Sequence, residues 1–362
     1  MRIGLYGLPS AGKSFVLNKI DFIKVIEGSK TLKKLYPEFD FSDDIKKNEI
    51  RKKFAEWLYN ENDFIMDGHY SFGEKIAFTE ADGELYDVFL YLYIKPEILY
   101  SRIRKSKKNI TYSGSDIGVW QKNEIKALRK YCHEHDKDFY VIDNTVSGYF
   151  DDVCIIIEFI KAVHEGFSCE KYAKWCTNQI LRSVQQQKCI FLADGDKTIT
   201  LKDTCKQIYG YTTNIFDNNF YTGFQTWKHY KNLTNNFALR PYNGDAQEFI
   251  LNSSVVKRLG DNSYILTSGD GNIWKNISLL LHMGCFYGAE MSADAKFFIT
   301  KYLRRAGKYI TAYGDSINDF YMLKEADDGY LVVNPKGEKS KSLKDIDLGG
   351  IHIVRAGEIR KC

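Results

Sequence analysis

Two short stretches of the 362-residue chain hold residues whose types and spacing suit phosphate chemistry. In FLADGDKTIT (191–200) an apolar run delivers Asp194 and Asp196 with one residue between them. Side chains two apart at a strand end project the same way, so the two carboxylates converge on one point. They repel each other, and burying both requires a cation beside them. One can then attack phosphorus while the other serves as acid and base for the leaving oxygen. The second stretch, GLPSAGKS (7–14), fits GxxxxGK[ST] at each required position. Backbone N–H groups across Gly7, Ser10, Ala11 and Gly12, with the helix start that follows, can cradle phosphate oxygens. Lys13 adds positive charge on the β- and γ-phosphates, and Ser14 offers its hydroxyl to Mg²⁺.

Each stretch needs elements that aim it. RIGLY reads as a buried strand before the loop and SFVLNKI as a short helix after it. Further strands are expected at 22–27, ending at Glu27, at 63–70, containing Asp67, at 87–94 and at 138–144, with helices over 43–60 and 96–109. Buried strands alternating with helices imply a parallel, doubly wound α/β domain whose ligands sit at the carboxyl ends of the strands. A carboxylate there can orient a hydroxyl acceptor and take its proton. Glu27 and Asp67 compete for that role, and Asp67 can instead hold Mg²⁺ through water. His69 reads as structural or as a weak acceptor contact. The second half repeats the logic. SYILTSGDG (263–271) is a strand ending in Thr267 and Ser268, hydroxyls free for a phosphate oxygen. GKYITAYGDSIND (307–319) is a strand ending in Asp315 and Asp319, carboxylates suited to Mg²⁺. Between them SADAKFFITKYLRRAGK reads as a helix with Lys296 near its start.

Residues 1 to about 160 resemble the small P-loop kinases that phosphorylate nucleosides, nucleotides or similar metabolites with ATP. YIKPEILYSRIRKSKKN resembles their strand–Pro–helix–lid segment, and by that resemblance Arg102, Arg104 and Lys105 would close over the transferred phosphoryl group. In such nucleoside kinases the acid at the end of the second strand orients the acceptor, a role Glu27 fits. Residues 188 to about 340 resemble the haloacid dehalogenase superfamily of phosphatases, whose pattern DxDxT … [ST] … K … GDxxxD appears in order. The resemblance implies that Asp194 attacks phosphorus, Asp196 protonates the leaving oxygen and then activates water, and Lys296 neutralises the centre, with Lys301 as the other candidate lysine. It also implies that Asp315 holds Mg²⁺ with Asp194 and the Asp196 carbonyl, and that Asp319 supports that shell. The 73 residues from Asp194 to Thr267 exceed what a crossover needs and look like the helical cap of the phosphoserine-phosphatase-like branch. Within it Phe220, Tyr221, Phe224, Trp227 and Arg240 are candidates to line a pocket, with core packing an equal reading for the aromatics.

The expected organisation is a kinase domain (1–160), a helical connector (161–187) and a phosphatase domain (188–362) with a cap at about 202–258. Composition agrees with an ordinary globular chain: 44% hydrophobic, 27% charged and a formal net charge of +4. That charge suits anionic small molecules and falls short of a dedicated nucleic-acid binder. Eight cysteines without a CxxC pair suggest free thiols in a reducing cytoplasm. No secretory signal and no apolar run of membrane-spanning length is apparent, so no membrane is expected. The leading expectation is a bifunctional enzyme on small molecules, using ATP and Mg²⁺. The alternatives are a polynucleotide end-healing kinase–phosphatase and an ATP-sensing domain that regulates a phosphatase.

Overall fold

The structure is a computed structural model that describes residues 1–73, 75–105, 113–143, 150–184, 186–210, 220–237, 244 and 246–357. The chain divides into two compact units, Met1–Phe167 and Ser168–Cys362.

In the first unit the strands are β1 (Arg2–Tyr6), β2 (Lys24–Ile26), β3 (Phe64–Asp67), β4 (Ser71–Phe72), β5 (Lys75–Ile76), β6 (Val88–Tyr93) and β7 (Asp138–Asp143). The helices are α1 (Lys13–Leu17), α2 (Gly28–Leu35), α3 (Asp44–Leu58), α4 (Glu80–Leu85), α5 (Pro96–Lys105), α6 (Gly114–Glu134) and α7 (Phe150–His164). Five strands form a parallel sheet in the order β2-β3-β1-β6-β7. Their near-continuous apolar runs, such as VFLYLY in β6, are what a sheet covered on both faces requires. β1 lies inside the sheet, so the loop after it opens where strand order changes direction, at the carboxyl edge. β4 and β5 form a separate antiparallel hairpin. The 21-residue helix α6 has no counterpart in the sequence-based expectation. Its signals were the Ser113/Asp116 capping box and buried Ile117, Ile125, Leu128 and Cys132 at helical spacing.

The second unit contains strands β8 (Cys189–Ala193), β9 (Ser263–Thr267), β10 (Gly284–Tyr287), β11 (Tyr309–Gly314), β12 (Asp328–Val333) and β13 (His352–Arg355). Its helices are α8 (Cys169–Val184), α9 (Thr204–Tyr209), α10 (Gly223–Phe237), α11 (Ser253–Val256), α12 (Gly271–Leu281), α13 (Ala293–Arg305) and α14 (Ile317–Glu325). All six strands are parallel, ordered β10-β9-β8-β11-β12-β13. β8 therefore sits between β9 and β11, which brings three strand ends from distant parts of the chain side by side.

The helical connector expected over 161–187 is shared out by packing. α7 packs on α1 of the first unit, and α8 lies along α13 in the second, where Tyr302 donates its hydroxyl to Glu170. Burial of Ala173, Cys176 and Ile180 makes α8 a layer of that unit. No described helix is long and apolar enough to cross a membrane. The seven described cysteines are free thiols, and Cys362 lies outside the described residues.

Candidate functional sites

In the first unit the phosphate loop leaves β1 through Gly7 (φ 144°), passes Ser10 in the left-handed region (φ 66°) and enters α1 at Gly12 (φ 102°). Glycine at 7 and 12 supplies backbone angles that a side chain would oppose. Ala11 is buried beneath the loop, and Ser14 stands exposed on the first turn of α1. Lys13 is buried and its Nζ donates to the Gly7 carbonyl at 2.5 Å and the Leu8 carbonyl at 3.3 Å, so the ammonium is held at the loop's centre. Arg102 Nη1 lies 3.8 Å from where a Cβ on Gly12 would stand, which places this arginine against the loop. Arg104, on the far side of α5, stacks instead over Tyr100, 5.7 Å from the ring centre. Lys105 ends the helix, exposed.

Asp67 lies beside the phosphate loop, because β3 pairs with β1 in a register that sets Asp67 opposite Leu5. Its Oδ1 accepts the Gly28 N–H at 2.9 Å, and it lines a cleft of about 130 Å³ together with His69, Met66, Arg51 and Phe54. Glu27 does not line that cleft. It precedes the first turn of α2, exposed, in a 3.1 Å pair with Lys30. Arg51 was not anticipated, since it stands among the lysines of KKNEIRKKF and nothing in composition separates it from them. Partial burial lowers its pKa against the pull of Asp82 and Asp44, and its guanidinium sits 5.3 Å from the Phe39 ring centre. Glu124 of α6 anchors the neighbouring hairpin: it accepts from Ser71 N, Ser71 Oγ, Trp120 Nε1 and Tyr91 OH.

In the second unit one cation organises the acids. Lys296, fully buried near the start of α13, donates to Asp194 Oδ1 at 2.5 Å and Asp319 Oδ1 at 2.7 Å. Burial opposes its charge, but the two carboxylates outweigh that and raise its pKa. Carboxylate oxygens of Asp194, Asp315 and Asp319 lie within 4.8 Å of one another. Asp319 is already engaged, since its Oδ2 accepts from Asp315 N, Ser316 N and Ser316 Oγ. It therefore fixes the loop and the lysine, which leaves Asp194 and Asp315 as the open pair. Burial, then repulsion from Asp319, pushes Asp194 up to about 7 against the pull of Lys296. Burial, then Asp319 and Asp194, holds Asp315 well above the usual carboxylate range. Such a set of crowded, hard oxygen donors fits Mg²⁺, which supplies the charge these acids lack.

Asp196 points elsewhere. Its Oδ1 accepts the Thr204 N–H at 2.6 Å, and burial followed by Asp203 pushes its carboxyl up to about 6. Its carboxylate lies outside the cluster of Asp194, Asp315 and Asp319. Thr267 is buried and its Oγ1 accepts the Gly269 N–H at 3.0 Å, which shapes the turn, while Ser268 is partly exposed with no hydrogen bond among the described residues. Gly195, between the two aspartates, is required by space: a Cβ there would lie 2.6 Å from Trp274 and 2.9 Å from Thr267 Oγ1. Lys301 faces Phe297, 5.7 Å from its ring centre, and takes no part in the centre.

The expected cap carries α9, α10 and α11, and residues 211–219, 238–243 and 245, Arg240 among them, lie outside the described ones. α10 is tied to the core where Tyr230 donates its hydroxyl to the Gly269 carbonyl at 2.6 Å. Phe224 is buried and stacks on Trp227 at 6.5 Å, which makes it packing, while Phe220, Tyr221 and Trp227 keep partial exposure.

Fold and sites together define an α/β protein of two parallel-sheet units, one with a phosphate loop and one with a lysine-centred acidic cluster. No family model matches the chain, and no curated protein does. Among solved structures it is similar to the shikimate kinase of Bacteroides thetaiotaomicron, with 12% identity and a TM-score of 0.35 over 46% of this chain and 98% of that one. It is also similar to the shikimate kinase of Acinetobacter baumannii, solved in complex with shikimate, at 14% identity and a TM-score of 0.34 over 44% and 93%. A third similarity is to the shikimate kinase of Aquifex aeolicus, at 17% identity and a TM-score of 0.29 over 46% and 99%.

Proposed function

We propose that the chain is a bifunctional phosphoryl-transfer enzyme. Its first unit transfers phosphate from ATP to a small hydroxyl-bearing metabolite or nucleoside, and its second hydrolyses a small phosphomonoester. The reading rests most on the Lys296 centre. Acids from two segments more than a hundred residues apart meet the lysine of a third, and a packed core has no use for three clustered acids beside one cation.

For hydrolysis, an oxygen of Asp194 forms a bond to phosphorus as the ester P–O bond breaks. Asp196 gives its proton to the leaving oxygen, which departs as the alcohol. Asp196 then takes a proton from water, and that water attacks the aspartyl-phosphate and releases inorganic phosphate. Lys296 holds Asp194 in place and offsets the incoming negative charge. Asp194 and Asp315 would hold Mg²⁺, which would supply further positive charge to offset the phosphoryl group. A carboxyl near 6 supports the acid role, because an appreciable share is protonated close to neutrality.

For phosphorylation, Lys13 and the loop hold the nucleotide phosphates, with Ser14 available to Mg²⁺. Arg102 lies where it can meet charge on the transferred group. Asp67, on the wall of the cleft, is better placed than Glu27 to orient an acceptor, and Arg51 gives that cleft an anion contact. Free thiols support a reducing compartment.

The experiment is an assay with Mg·ATP against nucleosides, sugars, amino alcohols, small hydroxy acids and 5′-hydroxyl oligonucleotides, alongside a phosphomonoester panel. Phosphorylation of a small acceptor and Mg²⁺-dependent ester hydrolysis are expected. Transfer to oligonucleotides alone, or ATP binding with no transfer, would reject the kinase half as proposed.

A further inference from the structure

We infer that the ester hydrolysed at the Asp194 centre carries a second anionic group, a phosphate or a carboxylate, which seats in a lysine-lined pocket beside Asp315; this rests on the phosphatase reading. The pocket encloses about 680 Å³ and has Asp315 on its wall, so it opens directly onto the acidic cluster. Five lysines line it from three separate segments: Lys197 after β8, Lys202 and Lys206 around the start of α9, and Lys339 and Lys341 after β12. All five are exposed, and none forms an ion pair among the described residues.

The two other acids on this wall are occupied with local structure. Asp203 accepts the Lys206 N–H at 2.9 Å as the cap of α9, and Glu338 accepts from Asn334 Nδ2 at 2.8 Å. Neither answers the ammonium groups. Lys197 also stands in the left-handed region, at φ 61°, where most side chains are disfavoured. A basic side chain is thus kept beside Asp196 at a position glycine would occupy with less strain.

The reacting phosphoryl group already has Lys296 and the metal site to balance it. Five further positive charges one pocket away exceed what a neutral leaving group could use. A leaving group that is itself charged would draw substrate in and fix which phosphate faces Asp194.

The test measures kcat/KM with Mg²⁺ for p-nitrophenyl phosphate, glycerol phosphate, phosphoglycolate, fructose 1,6-bisphosphate and a 3′-phosphorylated oligonucleotide, on wild type and a Lys339→Glu/Lys341→Glu double variant. Preference for phosphoglycolate or the bisphosphate is expected, and which of them wins names the second group. The double variant should reduce that preference, relative to p-nitrophenyl phosphate, by roughly tenfold, and added salt should erode it in wild type. Hydrolysis with no preference for a second charge, or a double variant with the wild-type ratio, would overturn the inference and leave the phosphatase reading standing. Hydrolysis of the oligonucleotide alone would overturn the small-molecule pocket. Absence of hydrolysis of every ester would overturn both.

Discussion

Lys296 is the residue on which the second site depends. With no exposed surface and two carboxylate partners, it cannot be lost quietly. Lys296→Met leaves Asp194 and Asp319 facing each other without a cation, and removal of one partner of a buried pair costs about 3–5 kcal/mol. Denaturant unfolding of the variant is expected to show that loss, and adding Asp319→Asn should recover part of it. An unchanged midpoint would mean the cluster is not buried as described. Asp196 is tested by activity instead: Asp196→Asn should lower turnover by about 10²–10⁴-fold, the usual contribution of a positioned acid–base group, with stability nearly unchanged. Gly195→Ala should destabilise the unit by about 1–3 kcal/mol, because the added methyl meets the buried Trp274 ring. Much of this centre was legible in the sequence, since each member stands at the end of an apolar run or the start of a helix. What was not legible was direction. Asp319 reads in the sequence only as an acid suited to the metal shell, and nothing there shows that its oxygens also meet Lys296 and the backbone of its own loop. Glu27 and Asp67 were equivalent as letters, and what separates them is that Asp67 lines the cleft while Glu27 stands exposed in its pair with Lys30. Arg51 carried no signal among neighbouring lysines.

At the scale of elements, the strands were readable because a parallel sheet covered on both faces demands runs of apolar residues, and those runs end where the sites begin. β6 and β7 fall within a residue of their expected limits. The connector expected over 161–187 was harder, since an apolar stripe does not say which unit it will cover; α7 packs on the first and α8 on the second. The edge strands β10 and β13 are short and partly exposed, which weakens the same signal. The helix α10 permits a pH test. His229 is buried on it, and burial lowers its pKa to about 4, against 6.5 in an unfolded chain. Between those values the unfolded state holds the extra proton, so stability rises with pH through this window and is lost on acidification from 6.5 towards 4. A His229→Gln variant should flatten the pH dependence of the unfolding midpoint there relative to wild type. Superimposable curves would show that the ring is not held neutral.

The whole molecule is two α/β units, each with its candidate site at the carboxyl edge of a parallel sheet. The sites share no residues, so each should survive loss of the other. The most direct measurement is therefore a cross-assay of wild type, Lys13→Ala and Asp194→Asn for ATP-dependent phosphorylation and for phosphomonoester hydrolysis. Lys13→Ala should lose phosphorylation and keep hydrolysis, and Asp194→Asn should do the reverse. Hydrolysis by Asp194→Asn at the wild-type rate, or loss of both activities in either folded variant, would contradict the account.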